Sequence, residues 1–225
     1  MNRMLFLILI GLGGAAVLLS LGVWQVQRLA WKEGVIADIE ARIDGAPVAL
    51  PAEPDPARDA YLPVTATGRF GSESLRVLVS QKHVGAGYRL ITPFETGGRR
   101  VLVDRGFIPT AQETVAAPEG EQTVTGNLQW PQETDGFTPA PDPAENLWFA
   151  RDVAAMAEVL GTEPVLLVAR AMSPPEARVT PLPVDTSRIP NDHLQYAITW
   201  FSLAAIWLAM SLLFLRRRRA QPAES

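Results

Sequence analysis

The sequence predicts a membrane protein in which two transmembrane helices flank one β-rich α+β extracytoplasmic domain, built as an antiparallel sheet or barrel with a short helix. Two runs without a charged residue, Met4–Gln27 and Leu194–Leu215, are each long enough to cross about 30 Å of hydrocarbon as a helix. The segment between them is polar and contains short alternating stretches rich in β-branched and aromatic residues, which are typical of strands.

The distribution of positive charge predicts the orientation of the chain. Four consecutive arginines, Arg216–Arg219, directly follow the second run, and positively charged short tails stay on the cytoplasmic side of a membrane. Two spans bring the N-terminus, with Arg3, to the same side, so the middle of the chain is expected on the outer side. We therefore expect a multi-pass protein of a bacterial-type inner membrane, with its central domain in the periplasm.

The first apolar run has a second interpretation, because Arg3 followed by apolar residues also resembles a cleavable signal peptide. A retained anchor is favoured, since the run is longer than a typical signal core and lacks a clear small-x-small cleavage site. The chain contains no cysteine, which excludes disulfides, thiolate metal sites and c-type haem attachment. His83 and His193 are the two imidazoles that remain as candidate metal ligands.

The composition changes along the chain divide it into seven predicted segments. Apolar residues at near-helical spacing extend the first helix beyond its span, and four prolines between Ala46 and Arg58 predict a linker without regular structure. The predicted segments are a cytoplasmic N-terminus (1–3), a first transmembrane helix (4–27), a helical extension with a proline-rich linker (28–60), a β-rich extracytoplasmic domain (61–172), a proline-rich connector (173–192), a second transmembrane helix (193–215) and a basic cytoplasmic tail (216–225).

Short strands and one short helix are predicted within the β-rich domain. A hairpin is indicated where Thr96, Gly97 and Gly98 separate two alternating runs. A helix is expected over Asp152–Leu160, capped by Asp152 and ended by Gly161. The predicted strands are Leu62–Phe70, Leu75–Gln81, Tyr88–Glu95, Arg99–Phe107, Gln122–Leu128 and Val165–Ala171.

The start of the second span carries the most informative candidate site. Asn191 or Asp192 can cap the helix, which places His193 in its first turn at the outer membrane interface. Tyr196 and Trp200 follow His193 on the same helical face, at offsets of three and seven residues. A neutral imidazole above aromatic rings suits ligation of a haem iron in apolar surroundings. The alternative is that these are ordinary interfacial aromatic residues and that the histidine hydrogen-bonds lipid headgroups.

The first span offers a matching set of side chains. Trp24, Arg28 and Trp31 lie at offsets of zero, four and seven residues, again on one face at the outer interface. A guanidinium can bind a haem propionate in a bidentate manner, or it can extend to phosphate headgroups. A mostly small stripe formed by Gly11, Ala15, Leu18 and Gly22 is expected to pack against Ala205 and Ala209, which would bring His193 and Arg28 to the same depth.

The β-rich domain offers weaker candidates. Asp104 beside Arg105 is interpreted as an ion pair that holds a turn, and His83 lies in a glycine-containing loop. A hydrolase would need Asp104 and His83 within hydrogen-bonding reach of each other. The sequence contains no nucleophile elbow, phosphate loop or His-Glu-x-x-His motif, so we expect a protein that is not an enzyme. No nucleic-acid partner is expected, because membrane topology accounts for the basic cluster at 216–219.

Several blocks of the sequence resemble the Surfeit-locus-protein-one family of cytochrome c oxidase biogenesis factors. The resemblance covers nearly the whole chain, and its first and last blocks are specific because they occur at the two spans in the family's order. The blocks are Leu21–Arg28 with Trp31 and Lys32, Gly87 and Tyr88 with Thr92–Phe94, Val101–Pro109, Asn146–Phe149 with Arg151 and Asp152, and Asn191–Phe201.

The resemblance implies an assembly factor for haem-copper cytochrome c oxidase that acts when haem a is installed in the catalytic subunit. It implies haem a as a transiently bound cofactor and, as partners, membrane lipid, the oxidase catalytic subunit and haem a synthase. The family's histidine matches His193. The leading hypothesis is a chaperone in which His193 ligates the haem iron, Arg28 meets a propionate, and Trp24, Tyr196 and Trp200 line the ring. The alternative is a structural scaffold that binds oxidase subunits without binding haem.

Overall fold

The computed structural model describes residues 3–81, 84–112, 115–187 and 189–220. The chain divides into two units, the first formed by Met1–Asp38 with Ser187–Ser225 and the second by Ile39–Thr186. The elements in chain order are α1 (Arg3–Ile43), β1 (Val48–Ala49), α2 (Pro56–Asp59), β2 (Pro63–Phe70), β3 (Leu75–Gln81), β4 (Gly85–Thr96), β5 (Arg99–Pro109), β6 (Gln122–Gln129), β7 (Leu147–Trp148), α3 (Val153–Leu160), β8 (Leu166–Ser173) and α4 (His193–Ala220).

The first unit contains α4 and α1 up to Asp38, and both helices have the properties of membrane spans. Both are long and apolar enough to cross a bilayer. They leave large apolar side chains uncovered, including Leu12, which is 61% exposed, and Met210, which is 66% exposed. A helix whose apolar side chains are not buried by protein is expected in lipid. The predicted fold class, two apolar helices flanking a β-rich domain, is confirmed.

The second unit contains an eight-stranded sheet that closes on itself. The strand order is β1-β2-β6-β8-β5-β4-β3-β7, and β2 also pairs with β4 through Phe70 and Phe94. Strands β2, β6, β8, β5 and β4 therefore form a five-stranded barrel, while β1, β3 and β7 extend the sheet beyond it. Closure satisfies the backbone groups that an open sheet would leave unpaired at these strands.

The local signals in the sequence place the hairpin and the short helix. Gly97 and Gly98 have φ angles of +56° and +75°, and Thr96 pairs with Arg99 across them, as a two-residue β-hairpin turn requires. The Asp152 side chain accepts the backbone N–H of Ala155 at the start of α3, and Gly161 ends the helix in the left-handed conformation.

Two features of the second unit differ from expectation. Among the described strands, three pairs are parallel, β1 with β2, β3 with β7 and β5 with β8, whereas the sequence indicated an antiparallel sheet or barrel. Two parallel strands are joined by a long crossover connection, so which strands pair is set by long-range contacts rather than by a local turn. The expected irregular linker also contains β1 and α2, because Pro56 occupies the first helical turn and the Asp55 side chain accepts two backbone N–H groups.

Strands β5 and β8 are buried on both faces, and their side chains point alternately into two hydrophobic cores. Odd and even positions of a strand point to opposite faces of the sheet. The barrel interior contains Val64, Ala66, Phe94, Val101, Val103, Val124, Leu128, Val165, Leu167 and Ala169. The core beneath α3 contains Leu75, Val77, Ile91, Leu102, Met156, Leu160, Leu166 and Val168, with Ile43 from the last turn of α1.

Gly106 allows the close approach of β5 to the segment around Thr180. Its φ angle is +121°, and an added Cβ would lie 2.3 Å from the Thr180 carbonyl oxygen. Phe107 exchanges backbone hydrogen bonds with Thr180 at 2.7 and 2.9 Å. A side chain at position 106 would therefore strain the backbone and separate these two segments.

We predict that Gly106→Ala lowers the free energy of unfolding by about 2 kcal/mol or more. Urea unfolding of the full-length protein in detergent, followed by circular dichroism, measures the change. Gly136→Ala is the matched control, since a Cβ there would meet nothing within 4 Å. Equal stability of the two variants would contradict the close approach at Thr180.

Candidate functional site

Glycines on α1 set how closely α1 and α4 pack. A Cβ added to Gly11 would lie 3.2 Å from the Ser211 Cβ, and one added to Gly14 would lie 2.6 Å from the Trp207 ring. Farther along α1, a Cβ at Gly22 would lie 2.7 Å from the Phe201 ring. Residue numbers rise on one helix as they fall on the other, so the two helices are antiparallel and closely packed.

The contact face of α4 is one residue away from the predicted one. Ala197 and Ala204 are buried, at 2% and 1% exposure, whereas Ala205 and Ala209 are exposed. A shift of one residue turns a helical position by about 100°. The expected stripe on α1 is confirmed at Gly11, Ala15 and Gly22, but its expected partners Ala205 and Ala209 are wrong.

His193 is the first residue of α4 and lies against α1. Its Nδ1 is 2.8 Å from Oε1 of Gln25, and the ring is partly buried. Gln25 is 8% exposed, which makes it a buried polar residue in a long apolar helix. Sequence reasoning missed Gln25, although it lies three residues beyond Gly22 on the small-residue stripe.

Arg28 is exposed, and its guanidinium carbon lies 3.9 Å from the centre of the Trp31 ring. This geometry is a cation–π contact between neighbouring turns of α1. Trp24, one turn before Arg28, is 53% exposed. The predicted set on α1 therefore stays together on one face, and its side chains remain available to another molecule.

The predicted aromatic residues of α4 lie on the same side of the helix pair as the Trp24–Arg28 face. Tyr196 and Trp200 precede Trp207 by eleven and seven residues, or about three and two helical turns, so they share its flank of α4. Trp207 packs on Gly14, and Arg28 follows Gly14 by fourteen residues, or about four turns. All the predicted ligand-facing residues thus border one side of the pair, next to the contact between Gln25 and His193.

Tyr196 is 54% exposed and Trp200 is partly buried, so this aromatic side is not covered by α1 or α4. The opposite side of the pair presents aliphatic residues such as Leu12 and Leu194, which are 61% and 57% exposed. The helix pair is therefore chemically asymmetric. One side carries a cation, aromatic rings and an imidazole at its edge, and the other is suited to lipid chains.

Asp104 belongs to a buried ionic cluster in the second unit. It is 0% exposed, and its carboxylate accepts hydrogen bonds from Arg89 Nη1 at 2.5 Å and from the backbone N–H of Gly106 at 3.1 Å. Arg151 Nη1 lies 3.5 Å from the same carboxylate, and Arg151 also pairs with Glu133. These contacts occupy both carboxylate oxygens with structural partners.

The expected ion pair between Asp104 and Arg105 is wrong. The two residues are adjacent in β5, so their side chains point to opposite faces of the sheet. Arg105 is also 0% exposed, pairs with Glu176, and donates to the Ala116 carbonyl at 2.9 Å. His83, which the hydrolase hypothesis combined with Asp104, lies outside the described residues.

Comparison with known proteins identifies the family. The model of the SURF1 family matches residues 12–205, which include the β-rich unit and both Gln25 and His193. This chain belongs to the SURF1 family. Surfeit locus protein 1 of Xenopus tropicalis is 35% identical over 211 residues, covering 83% of this chain and 68% of that protein.

Two further relatives agree with this assignment. The SURF1-like protein of Drosophila melanogaster is 36% identical over 228 residues, covering 90% of this chain and 74% of that protein. Surfeit locus protein 1 of Homo sapiens is 32% identical over 217 residues, covering 83% and 70%. The family resemblance found in the sequence is confirmed. The roles of His193, Arg28, Trp24, Tyr196 and Trp200 stay predictions.

The packing of α1 against α4 in this SURF1 family protein predicts that two introduced cysteines will form a disulfide. Because the chain has no cysteine and the Cβ positions at Gly11 and Ser211 are 3.2 Å apart, Gly11→Cys with Ser211→Cys should cross-link on mild oxidation of membranes. Mass spectrometry of the linked peptides checks the bond. Gly13→Cys with Ser211→Cys is the control, since a Cβ at Gly13 meets nothing within 4 Å. Equal cross-linking in both pairs would contradict the packing.

The ionic cluster predicts an acid-dependent contribution to stability. Burial raises the pKa of Glu133, but the hydrogen bonds that Glu133 accepts from Arg151 and the positive charge of Arg151 outweigh burial, so its pKa lies below the ordinary value. A carboxylate with a lowered folded-state pKa stabilises the protein above its unfolded-state pKa of about 4.3, and this contribution is lost as pH falls through the folded-state pKa.

We therefore expect Glu133→Gln to be less stable than the parent at pH 7 and this difference to shrink as the pH is lowered below about 4. Thermal unfolding of the detergent-solubilised protein across this range measures the difference. Glu158→Gln, which changes an exposed carboxylate on α3, is the control. A pH-independent difference for Glu133→Gln would contradict the ion pair with Arg151.

Proposed function

We propose that this SURF1 family protein assists assembly of haem-copper cytochrome c oxidase by binding haem a at the α1–α4 pair and presenting it to the catalytic subunit. The observation that supports the proposal most directly is the setting of His193. Its Nδ1 contacts Gln25, and no described residue forms a hydrogen bond with its Nε2. A neutral imidazole held through one ring nitrogen has the other available as a ligand.

The residues around His193 fit the chemistry of a haem. A haem would need an apolar or aromatic surface for its ring, a nitrogen ligand for its iron, and cations or hydrogen-bond donors for its propionates. Tyr196 and Trp200 supply the aromatic surface on α4, and Trp24 supplies it on α1. Arg28 lies on the same side of the pair and is exposed, so its guanidinium is available to a carboxylate.

The proposed role does not require this protein to carry out a reaction. Haem a would supply the redox-active iron of the oxidase, whereas His193, Arg28 and the aromatic residues would hold and orient it. One protein ligand, together with a ring surface open to one side, allows release to a partner. This arrangement favours a carrier rather than a permanent haem protein.

The topology proposed with this function places the barrel in the periplasm of a bacterial-type inner membrane. The run Arg216–Arg219 supports a cytoplasmic C-terminus, and Arg216 and Arg217, the two of these arginines whose side chains are described, are exposed. The periplasmic barrel would then be available to dock the oxidase catalytic subunit or haem a synthase. Its buried ionic cluster would serve to keep the barrel folded rather than to catalyse a reaction.

The carrier proposal predicts that haem a copurifies with the protein from cells that make it, and that His193→Ala lowers the bound haem by more than about tenfold. The visible spectrum and pyridine haemochrome of the purified protein measure the haem content. His83→Ala, which removes the chain's other imidazole, is the matched control and should retain haem.

A haem-free spectrum of the parent protein would overturn the carrier proposal and leave the scaffold as the explanation, provided that the oxidase in those cells still assembles. Equal haem content in the parent and His193→Ala would overturn the assignment of the ligand. In both experiments the Gly11–Ser211 cross-link reports whether the helix pair is intact.

A further inference from the structure

We infer that Gln25 is a positioning residue for His193: its side-chain oxygen accepts the Nδ1–H of the imidazole and so directs the lone pair of Nε2 away from α1. The inference about tautomer and ring orientation depends on the contact between the two side chains. Its consequence for haem rests on the function proposed above.

The placement of Gln25 follows from the packing of α1 against α4. Gly22 lies three residues earlier on α1 and leaves space for the Phe201 ring. One turn farther along, the same face reaches His193, where Gln25 is 8% exposed and its Oε1 is 2.8 Å from Nδ1. The close approach of the helices therefore fixes the amide at the imidazole before any ligand binds.

The chemistry of the pair explains why the contact selects one tautomer. A neutral imidazole has one donor nitrogen and one acceptor nitrogen, and the partner of the first determines the role of the second. With Oε1 directed at Nδ1, the hydrogen lies on Nδ1. Nε2 is then the nitrogen with a free lone pair, which is the form that binds a metal.

The choice of an amide rather than a carboxylate also has a consequence. A carboxylate beside Nδ1 would increase the basicity of the imidazole and tighten the bond from Nε2 to a metal. It would also place a charge at the edge of an apolar helix pair, which is costly. A neutral amide orients the ring with less effect on basicity, as a ligand that must be released requires.

The tautomer is tested first in the protein without haem. The chain has two histidines, so ¹⁵N-histidine labelling of the parent and of His83→Ala assigns the His193 ring signals without ambiguity. At about pH 8, long-range proton–nitrogen correlation spectra in nanodiscs distinguish a protonated Nδ1 from a protonated Nε2. We expect Nδ1–H in the parent and in Gln25→Glu.

Gln25→Leu should lose this preference and gain the Nε2–H form. Gln27→Leu is the matched control, because Gln27 is an exposed glutamine two residues away on α1 and should leave the His193 signals unchanged. A protonated Nε2 in the parent, or identical ring spectra in the parent and Gln25→Leu, would overturn the inference. The Gly11–Ser211 cross-link, introduced into each variant, confirms that a spectral change does not arise from separated helices.

The haem-loaded protein supplies the second readout. The iron–histidine stretching frequency of the ferrous form should rise in the order Gln25→Leu, parent, Gln25→Glu, as the acceptor at Nδ1 becomes stronger. Haem retention in Gln25→Leu should fall by roughly 10–100-fold relative to Gln27→Leu. An unchanged frequency across the series would contradict the positioning role.

The tautomer spectra without haem and the measurements on the haem-loaded protein test the positioning role and the proposed function separately. If the parent shows Nδ1–H but binds no haem, the positioning of the ring stands and the carrier proposal fails. If haem binds through His193 while the Gln25 substitutions change neither the ring signals nor the stretching frequency, the carrier proposal stands and the positioning role fails.

Discussion

The close approach of α1 and α4 is the constraint on which the candidate site depends. Where two helices are surrounded by lipid, packing and hydrogen bonds rather than hydrophobic burial hold them together. Gly14 leaves space for the Trp207 ring, and the indole Nε1 donates to the Gly11 carbonyl at 2.9 Å. This contact fixes the register of the pair, and the same register brings His193 opposite Gln25 near the other end. A bulky residue at Gly14 would therefore act on the site from eleven residues, or about three helical turns, away.

In the barrel, unlike the helix pair, hydrophobic burial and buried ion pairs determine stability. Its strands bury apolar residues on both faces at β5 and β8, so Asp104 and Arg105, the buried charged residues of β5, must be paired inside the protein. Asp104 faces Arg89 and Arg151 on one side of the strand, while Arg105 pairs with Glu176 on the other. Removing one partner would leave an uncompensated buried charge, which costs more than the pair itself contributes. The ion pairs of Asp104, Arg105 and Arg151, which belong to the resemblance blocks, are thus explained by folding of the barrel.

The features of the fold that could be predicted from the sequence are those that depend on contacts between residues close in the chain. Local signals placed the hairpin at Gly97–Gly98 and the helix that begins after Asp152 because turn and capping geometry involve residues close in the chain. The parallel pairing of β5 with β8 could not be predicted, since it joins residues more than sixty positions apart. On α4, the contact with α1 selects Ala204 rather than Ala205, which lies only one position away, and helical periodicity alone leaves both open.

Gln25 shows why the candidate site was only partly predictable. Sequence reasoning favoured residue types with evident chemistry, an imidazole, a guanidinium and aromatic rings, and it found the face that carries them. A glutamine in an apolar helix has no distinctive motif, and its relevance appears only when a second helix brings an imidazole to its amide oxygen. Because a buried polar group in an apolar helix pair needs a partner, the Gln25–His193 contact stabilises the pair and orients the ring at once. The same hydrogen bond therefore links the packing of the helices to the chemistry of Nε2.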